Sequence, residues 1–178
     1  MAESASGEDF EIRVGATEPF DTFFHREFPR MVAVAYAISG SRWAAEELAQ
    51  EACIRAYKTW DSVSRYDRPG AWLRRVTINL ASSFVRRRIS EAKALERYAL
   101  SGVEPVTPHP AEEESFWNEV RSLPRRQREA VVLHYVDDLS TRDIADVLDV
   151  SESSVRTHLQ RGRETLARRL GEGGRYAT

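Results

Sequence analysis

The stretch that most restricts what this chain can fold into runs from Asp138 to Leu170, DLSTRDIADVLDVSESSVRTHLQRGRETLARRL. Ser140 followed by Asp143 is a capping-box arrangement for a helix start, and Ile144, Ala145 and Leu148 then recur at helical spacing. That helix is short and ends near Asp149. Asp149 and Val150 form the turn, and Ser151 offers its hydroxyl as the next N-cap. Beyond it Val155, Leu159, Gly162 and Leu166 fall on one inward row. The outward face keeps Ser153, Ser154, Arg156, Thr157, Gln160, Arg161 and Glu164. A capped short helix, a tight turn and a longer polar-faced helix are the parts of a helix-turn-helix, with Ala145 small enough for a steep crossing and Leu139 and Val150 sealing the ends. A face of hydrogen-bonding side chains with prominent Arg suits a major groove. An ordinary helical hairpin with a solvated outer side is the other reading of the same pattern.

Upstream, the chain is read as helices throughout. Residues 1–16 are polar, small and acidic, and are expected to form a flexible tail. From Thr17, a candidate cap, Phe20, Phe23, Phe24, Phe28, Met31, Val32, Ala35 and Tyr36 follow helical spacing, with Pro29 kinking or dividing the helix. Gly40 ends it and Ser41 caps the next, whose buried stripe is Ala45, Leu48, Ala49, Ala52, Ala56 and Trp60. The opposite side carries Glu47, Gln50, Glu51, Ile54 and Lys58, an acidic row that by itself fits a solvated face.

Asp61 to Arg68 has no periodicity and reads as a loop presenting Arg65, Tyr66 and Arg68, side-chain types that can grip unstacked bases or simply decorate a surface turn. After Pro69 and Gly70, AWLRRVTINLASSFVRRR is amphipathic, with Leu73, Val76, Leu80 and Phe84 expected inward. Arg75, Asn79, Ser82 and Arg86 make a polar stripe extended by Arg87 and Arg88. The cations would neutralise phosphates while Asn and Ser reach base edges, or the helix is basic and merely solvated.

Charge is distributed unevenly along the chain. Its formal net value is -2, yet residues 71–98 carry 7 Lys+Arg against 2 Asp+Glu, 99–120 carry 0 against 5, and 121–170 carry 10 against 8. Two Arg-rich blocks around an acidic strip suggest two nucleic-acid-facing parts with a repelling connector. Residues 91–113, ending in GVEPVTPHPAEEE, read as that linker, able to span about 80 Å when fully extended. Phe116, Trp117 and Val120 open a second apolar row, Pro124 restarts a helix, and Leu123, Val131, Val132 and Tyr135 lead into the opening motif.

The expected architecture is therefore all-α: a tail (1–16), a helical domain (17–90), a flexible acidic linker (91–113), a helix-turn-helix domain (114–170) and a tail (171–178). One cysteine, Cys53, builds neither a disulfide framework nor a zinc cluster, and no apolar run reaches the ~20 residues of a membrane helix. A cytoplasmic protein without membrane insertion is expected. An enzyme finds little support: no Gly-rich phosphate loop, metal-ligand spacing or nucleophile motif is present, and His25, His109, His134 and His158 are scattered. A free-standing helix-turn-helix regulator remains a reading of the C-terminal half.

Three stretches in order, AAEELAQEACIRAY, PGAWLRRVTINLASSFVRRR and LPRRQREAVVLHYVDDLSTRDIADVLDVSESSVRTHLQRGRETL, resemble the extracytoplasmic-function (ECF) sigma factors of bacterial RNA polymerase over about residues 18–170. The resemblance implies that Glu47, Gln50 and Glu51 dock on the β′ clamp helices of core polymerase, with the β flap a further contact. It implies that Arg75, Asn79, Ser82, Arg86 and Arg87 meet the minus-10 element, while Arg65, Tyr66 and Arg68 hold a base flipped from the melted strand. Ser153, Ser154, Arg156, Thr157, Gln160 and Arg161 would read the minus-35 element, and His158 borders the inward row. An anti-sigma factor is a partner the family commonly has, and no cofactor is implied. The chain departs from the family pattern at Ser83, where an acidic residue is frequent, and at Asp149, where a Gly is; Asp enters the left-handed region more readily than most residues.

Overall fold

The computed structural model describes residues 18–98 and 112–173, and all of their regular structure is helical. The helices are α1 (Phe20–Ser39), α2 (Arg42–Lys58), α3 (Trp60–Val63), α4 (Pro69–Tyr98), α5 (Glu112–Arg121), α6 (Arg125–Tyr135), α7 (Thr141–Leu148) and α8 (Glu152–Gly173). The N-terminal tail, the Thr17 cap, most of the expected linker and residues 174–178 lie outside the described residues, while the first three residues of the expected C-terminal tail, 171–173, continue α8.

α1 is continuous through Pro29, so the proline neither divides it nor ends it. Its row Phe23, Met31, Val34 and Ile38 is fully buried. At its end Gly40 takes a left-handed conformation (φ 70°) and donates its N–H to the Tyr36 carbonyl at 2.8 Å. A side chain at that φ would be strained, which is why glycine stops the helix here. Ser41 then caps α2, its hydroxyl accepting from the Ala44 N–H at 3.3 Å. The small residues Ala45, Ala49, Ala52 and Ala56 are completely buried and let α2 lie close on α1. Trp60 opens a separate turn, α3, and seats its ring 4.7 Å from Phe23 and 5.3 Å from Phe20. The expected loop therefore begins with helical residues at Asp61 and becomes irregular from Ser64.

Two expectations for α4 are corrected. The helix does not stop at residue 90 but runs to Tyr98, so the first part of the expected linker is helical. Its buried residues are Leu73, Arg74, Thr77, Ile78, Ala81 and Ser82, whereas Val76, Leu80 and Phe84 are only half-buried. The reason is that α4 packs on two sides: α1 and α2 cover one, and α7 of the C-terminal half covers another.

In the C-terminal half, Pro124 stands immediately before α6, whose Ala130, Val131, Val132 and Leu133 are buried. Tyr135, expected in this core, is instead exposed at the end of α6. Its hydroxyl accepts from Arg163 Nε at 2.8 Å while the guanidinium stands 5.6 Å from the ring centre. The Ser140 hydroxyl accepts from the Asp143 N–H at 3.2 Å and donates to the Asp143 carboxylate at 2.6 Å, completing the cap of α7. Asp149 adopts φ 57° and ψ 54°, the left-handed turn, and Ser151 caps α8 by accepting from the Ser154 N–H at 3.2 Å. Val155, Leu159, Gly162 and Leu166 all face inward. A Cβ at Gly162 would stand 2.9 Å from Val131 Cγ2, so its absence sets how closely α8 approaches α6. Finally, α1 packs on α5 and α6, and α4 on α7, so the two halves form one closed body.

Candidate nucleic-acid interface

The outer face of α8 lies fully in solvent. Ser153, Arg156, Thr157, Gln160 and Arg161 are exposed, Ser154 is half-buried at the helix start, and His158 is half-buried beside the inward row. The side chains are held in an ordered comb by neighbours one turn away. Arg156 donates to Glu152 at 2.8 Å, Gln160 to Glu164 at 2.9 Å, and the Thr157 hydroxyl to the Ser153 carbonyl at 2.9 Å. These are exposed pairs worth little to stability, so a groove's acceptors can replace them. The comb projects from a helix whose other side is locked in the core, which is the geometry for reading base edges.

On α2, Glu47, Gln50 and Glu51 are exposed on one face, with Glu51 accepting from Arg55 at 2.8 Å. Beside them Ile54 and Tyr57 are 47% and 66% exposed. With Phe20, Phe24, Gln50 and Cys53 they line a shallow apolar groove of about 220 Å³. An acidic rim around an apolar groove fits a protein surface with cations and aliphatic knobs. Tyr57 was not singled out in the sequence, although it continues the row of Gln50 and Ile54. Burial pushes the Cys53 thiol up to about 11, with a further push from Glu27, so it is a packing residue and not a nucleophile.

The α4 stripe is the surprise of the site. Arg86 and Arg87 are exposed, with Arg87 3.7 Å from Glu91. The upper part of the stripe faces the C-terminal half. Arg75 donates to the backbone carbonyls of Asp146 (2.6 Å) and Val147 (2.9 Å). Asn79 accepts from Arg125 at 3.3 Å. Ser82, 6% exposed, donates to Glu129 at 2.9 Å, and Glu129 is completely buried with Arg125 and Arg126 around it. In the loop, Arg65 and Tyr66 are exposed, while Arg68 is paired with Asp143 and with Asp146 at 2.9 Å. Ser83 is exposed and makes a long contact of 3.4 Å with Arg86.

Beneath the stripe lies a group that the sequence reading did not single out. Arg74 is 6% exposed and joins Glu27 of α1 to Asp137 after α6. Burial alone would lower its guanidinium; the Asp137 and Glu27 carboxylates outweigh that and hold it above its ordinary value. The signal was present in register: Glu27 occupies the core row between Phe23 and Met31, and Arg74 the row of Ile78.

Comparison with known proteins places both halves. The family description Sigma-70 region 2 matches residues 23–90 and Sigma-70, region 4 matches residues 113–166. The ECF RNA polymerase sigma factor SigW of Bacillus subtilis is 26% identical over 174 residues, 90% of this chain and 93% of that protein. The ECF RNA polymerase sigma factor SigM of Mycobacterium tuberculosis is 33% identical over 156 residues, 85% of this chain and 77% of that protein. Among solved structures, the sigma factor RpoE in complex with the anti-sigma factor NepR from Bartonella quintana superposes with a TM-score of 0.68 at 25% identity, covering 85% of this chain and 96% of that one. Among the described residues no helix is long and apolar enough to cross a membrane. With regions 2 and 4 matched in order and relatives aligned along most of their length, the chain belongs to the ECF sigma factors, the sigma-70 family of initiation factors that give RNA polymerase its promoter recognition.

Proposed function

We propose that the two halves divide the promoter between them while polymerase holds them in step. In this reading α8 enters the major groove of the minus-35 element with Ser153, Ser154, Arg156, Thr157, Gln160 and Arg161. The α4 stripe of Arg75, Asn79, Ser82, Arg86 and Arg87 meets the minus-10 element, and the loop residues Arg65, Tyr66 and Arg68 hold a base drawn from the melted strand. The observation that supports it most is the ordered, solvent-facing comb on α8 within the matched region 4. Each half alone contacts few phosphates and binds weakly and salt-dependently; tethering both to one enzyme raises the effective concentration of the second contact once the first is made. Unstacking costs a few kcal/mol per flipped base, and capture of the opened strand offsets it.

Glu47, Gln50 and Glu51, beside the Ile54 and Tyr57 groove, are the docking face for the β′ clamp helices, and region 4 would meet the β flap. A chain with this partner works where the polymerase is, in the cytoplasm. The sigma factor from Bartonella quintana was captured with an anti-sigma factor; a protein of that kind is proposed as a regulator here. The paired variant Glu47→Lys with Glu51→Lys tests the assignment. It should lose co-elution with core polymerase while keeping its helix content and its binding to duplex DNA. Unchanged co-elution would remove this face from the interface, whereas tight specific duplex binding by the protein alone, unaffected by the substitutions, would favour a free-standing regulator.

A further inference from the structure

We propose that residues 8–16 of this chain fold back as a strap over the crease between α1 and α2, and that the strap covers the apolar part of the α2 docking face until polymerase displaces it. The covering goes beyond the promoter reading, and only the displacement rests on the docking assignment of α2. The two helices are joined by the turn at Gly40 and Ser41 and pack against each other. On α1 the ridge Phe24, Phe28, Val32 and Tyr36 is half-buried, and on α2 the ridge Arg42, Glu46, Gln50 and Ile54 is exposed. Two cavities lie along these ridges. The near one, about 220 Å³, is the groove of Phe20, Phe24, Ile54 and Tyr57, and the far one, about 380 Å³, is lined by Pro29, Val32, Ala33, Tyr36, Arg42 and Glu46. Phe28, stacked on Phe24 at 5.0 Å, stands between them.

The segment leading into α1 fits this crease. In GEDFEIRVGAT, residues 7–17, Phe10, Ile12 and Val14 alternate with Asp9, Glu11 and Arg13. Side chains two apart share one face of an extended chain, so the segment has an apolar edge that it is too short to bury on itself. Phe10 and Val14 are ~14 Å apart in extended chain, at ~3.4 Å per residue. The two cavities are about ten helical residues apart, or ~15 Å at ~1.5 Å each. Val14 therefore fills the near cavity and Phe10 the far one, with Ile12 against Phe28. Glu18 is held by Arg26 at 3.1 Å, and Thr17, Ala16 and Gly15 span the ~10 Å needed to cross the start of α1.

Charge sets the same direction. Glu8 and Asp9 come level with the far end, where Arg30 is exposed and Arg42 is exposed with Glu46 at 3.6 Å. Arg13 comes level with Glu51, towards the near end. Such exposed pairs fix register and add little affinity. The affinity comes from the apolar edge: Ile54 and Tyr57, 47% and 66% exposed, leave water when the strap is down. A link of three residues keeps the segment at high effective concentration over its own crease, which favours that crease over the one on a second copy. Ile54 and Tyr57 also adjoin Glu47, Gln50 and Glu51, so strap and polymerase compete for them. Apparent affinity for polymerase is then scaled by the fraction of molecules left uncovered.

The test uses the full chain in a Cys53→Ser background, with spin labels at Ser6→Cys and Lys58→Cys, which the docked strap places at opposite ends of the crease. Should Cys53→Ser lose helix content, Cys53→Ala takes its place. The otherwise unaltered chain should give one narrow inter-label distance that persists when labelled protein is diluted with unlabelled. Phe10→Asp with Ile12→Asp should broaden it, and so should Ala33→Glu, which sets a carboxylate at an exposed position of the far cavity. Without labels, the Phe10→Asp and Ile12→Asp pair should bind core polymerase at least threefold more tightly than Ser4→Asp with Ser6→Asp, which adds the same charge off the apolar edge. A distribution equally broad in every variant overturns the strap. Broadening by the Phe10 and Ile12 pair but not by Ala33→Glu takes it off this crease, and a narrow distance lost on dilution gives the crease to a second copy instead. Broadening without a gain in polymerase affinity overturns the displacement. If Glu47→Lys with Glu51→Lys also leaves co-elution intact, the docking assignment of α2 fails while the strap stands.

Discussion

Arg156 and Arg161 stand on the exposed side of α8 with their backbone fixed by Val155, Leu159 and Gly162 beneath them. A guanidinium held this way can meet a guanine edge with two parallel hydrogen bonds, each such pair being worth ~1 to 3 kcal/mol of discrimination. Arg156→Ala or Arg161→Ala should therefore weaken binding of polymerase holoenzyme to the upstream element by about that much, measured by competition between intact and upstream-substituted promoter fragments. Equal preference in both variants and the unaltered protein would take the readout away from these two residues. Residues of this kind were legible in the sequence because helical spacing sorts inward from outward positions. Arg74 and Glu27 were not, because a charge on an apolar row states only that something must compensate it. Which carboxylate does so, Asp137, is decided by packing across distant segments.

Capping chemistry decides where α7 begins. The Ser140 hydroxyl both caps the helix and donates to the Asp143 carboxylate, which holds that carboxyl below its usual value, with Arg68 adding to the effect. The sign follows directly: a depressed folded-state value stabilises the fold above the unfolded value near 3.8, and that contribution is lost as pH falls through the lower folded value. Ser140→Ala should cost ~1 kcal/mol near neutral pH. In urea titrations the difference between variant and parent should shrink as pH is lowered through the carboxylate range. A difference that stays constant with pH would separate the cap from Asp143. The helix-turn-helix was readable in its caps, its left-handed Asp149 and its inward row because all of these are local. α4 was only partly readable: its amphipathic pattern records burial but not which partner buries it. α1 and α2 claim one side and α7 another, so rows that look outward in isolation, such as Ser82, end up covered.

At the scale of the whole molecule, sequence order and charge blocks showed two halves, and nothing in them showed that the halves close on each other. Closure depends on pairs far apart in the chain, Arg74 with Asp137, Arg68 with Asp146 and Ser82 with Glu129, for which no spacing rule exists. The connector is also shorter than the charge pattern suggested. With α4 ending at Tyr98 and α5 starting at Glu112, residues 99–111 lie between the helix ends and span at most about 45 Å at ~3.4 Å each. That exceeds one turn of duplex at ~34 Å but not two. In the proposed reading one chain carries both promoter-reading faces and lends them to polymerase. Run-off transcription from a genomic fragment library, with purified core polymerase and this protein, tests it most directly. Initiation should occur from a distinct subset of fragments sharing two short elements and should weaken with Arg75→Ala combined with Asn79→Ala. Transcription no different from that of core polymerase alone on every fragment would contradict it.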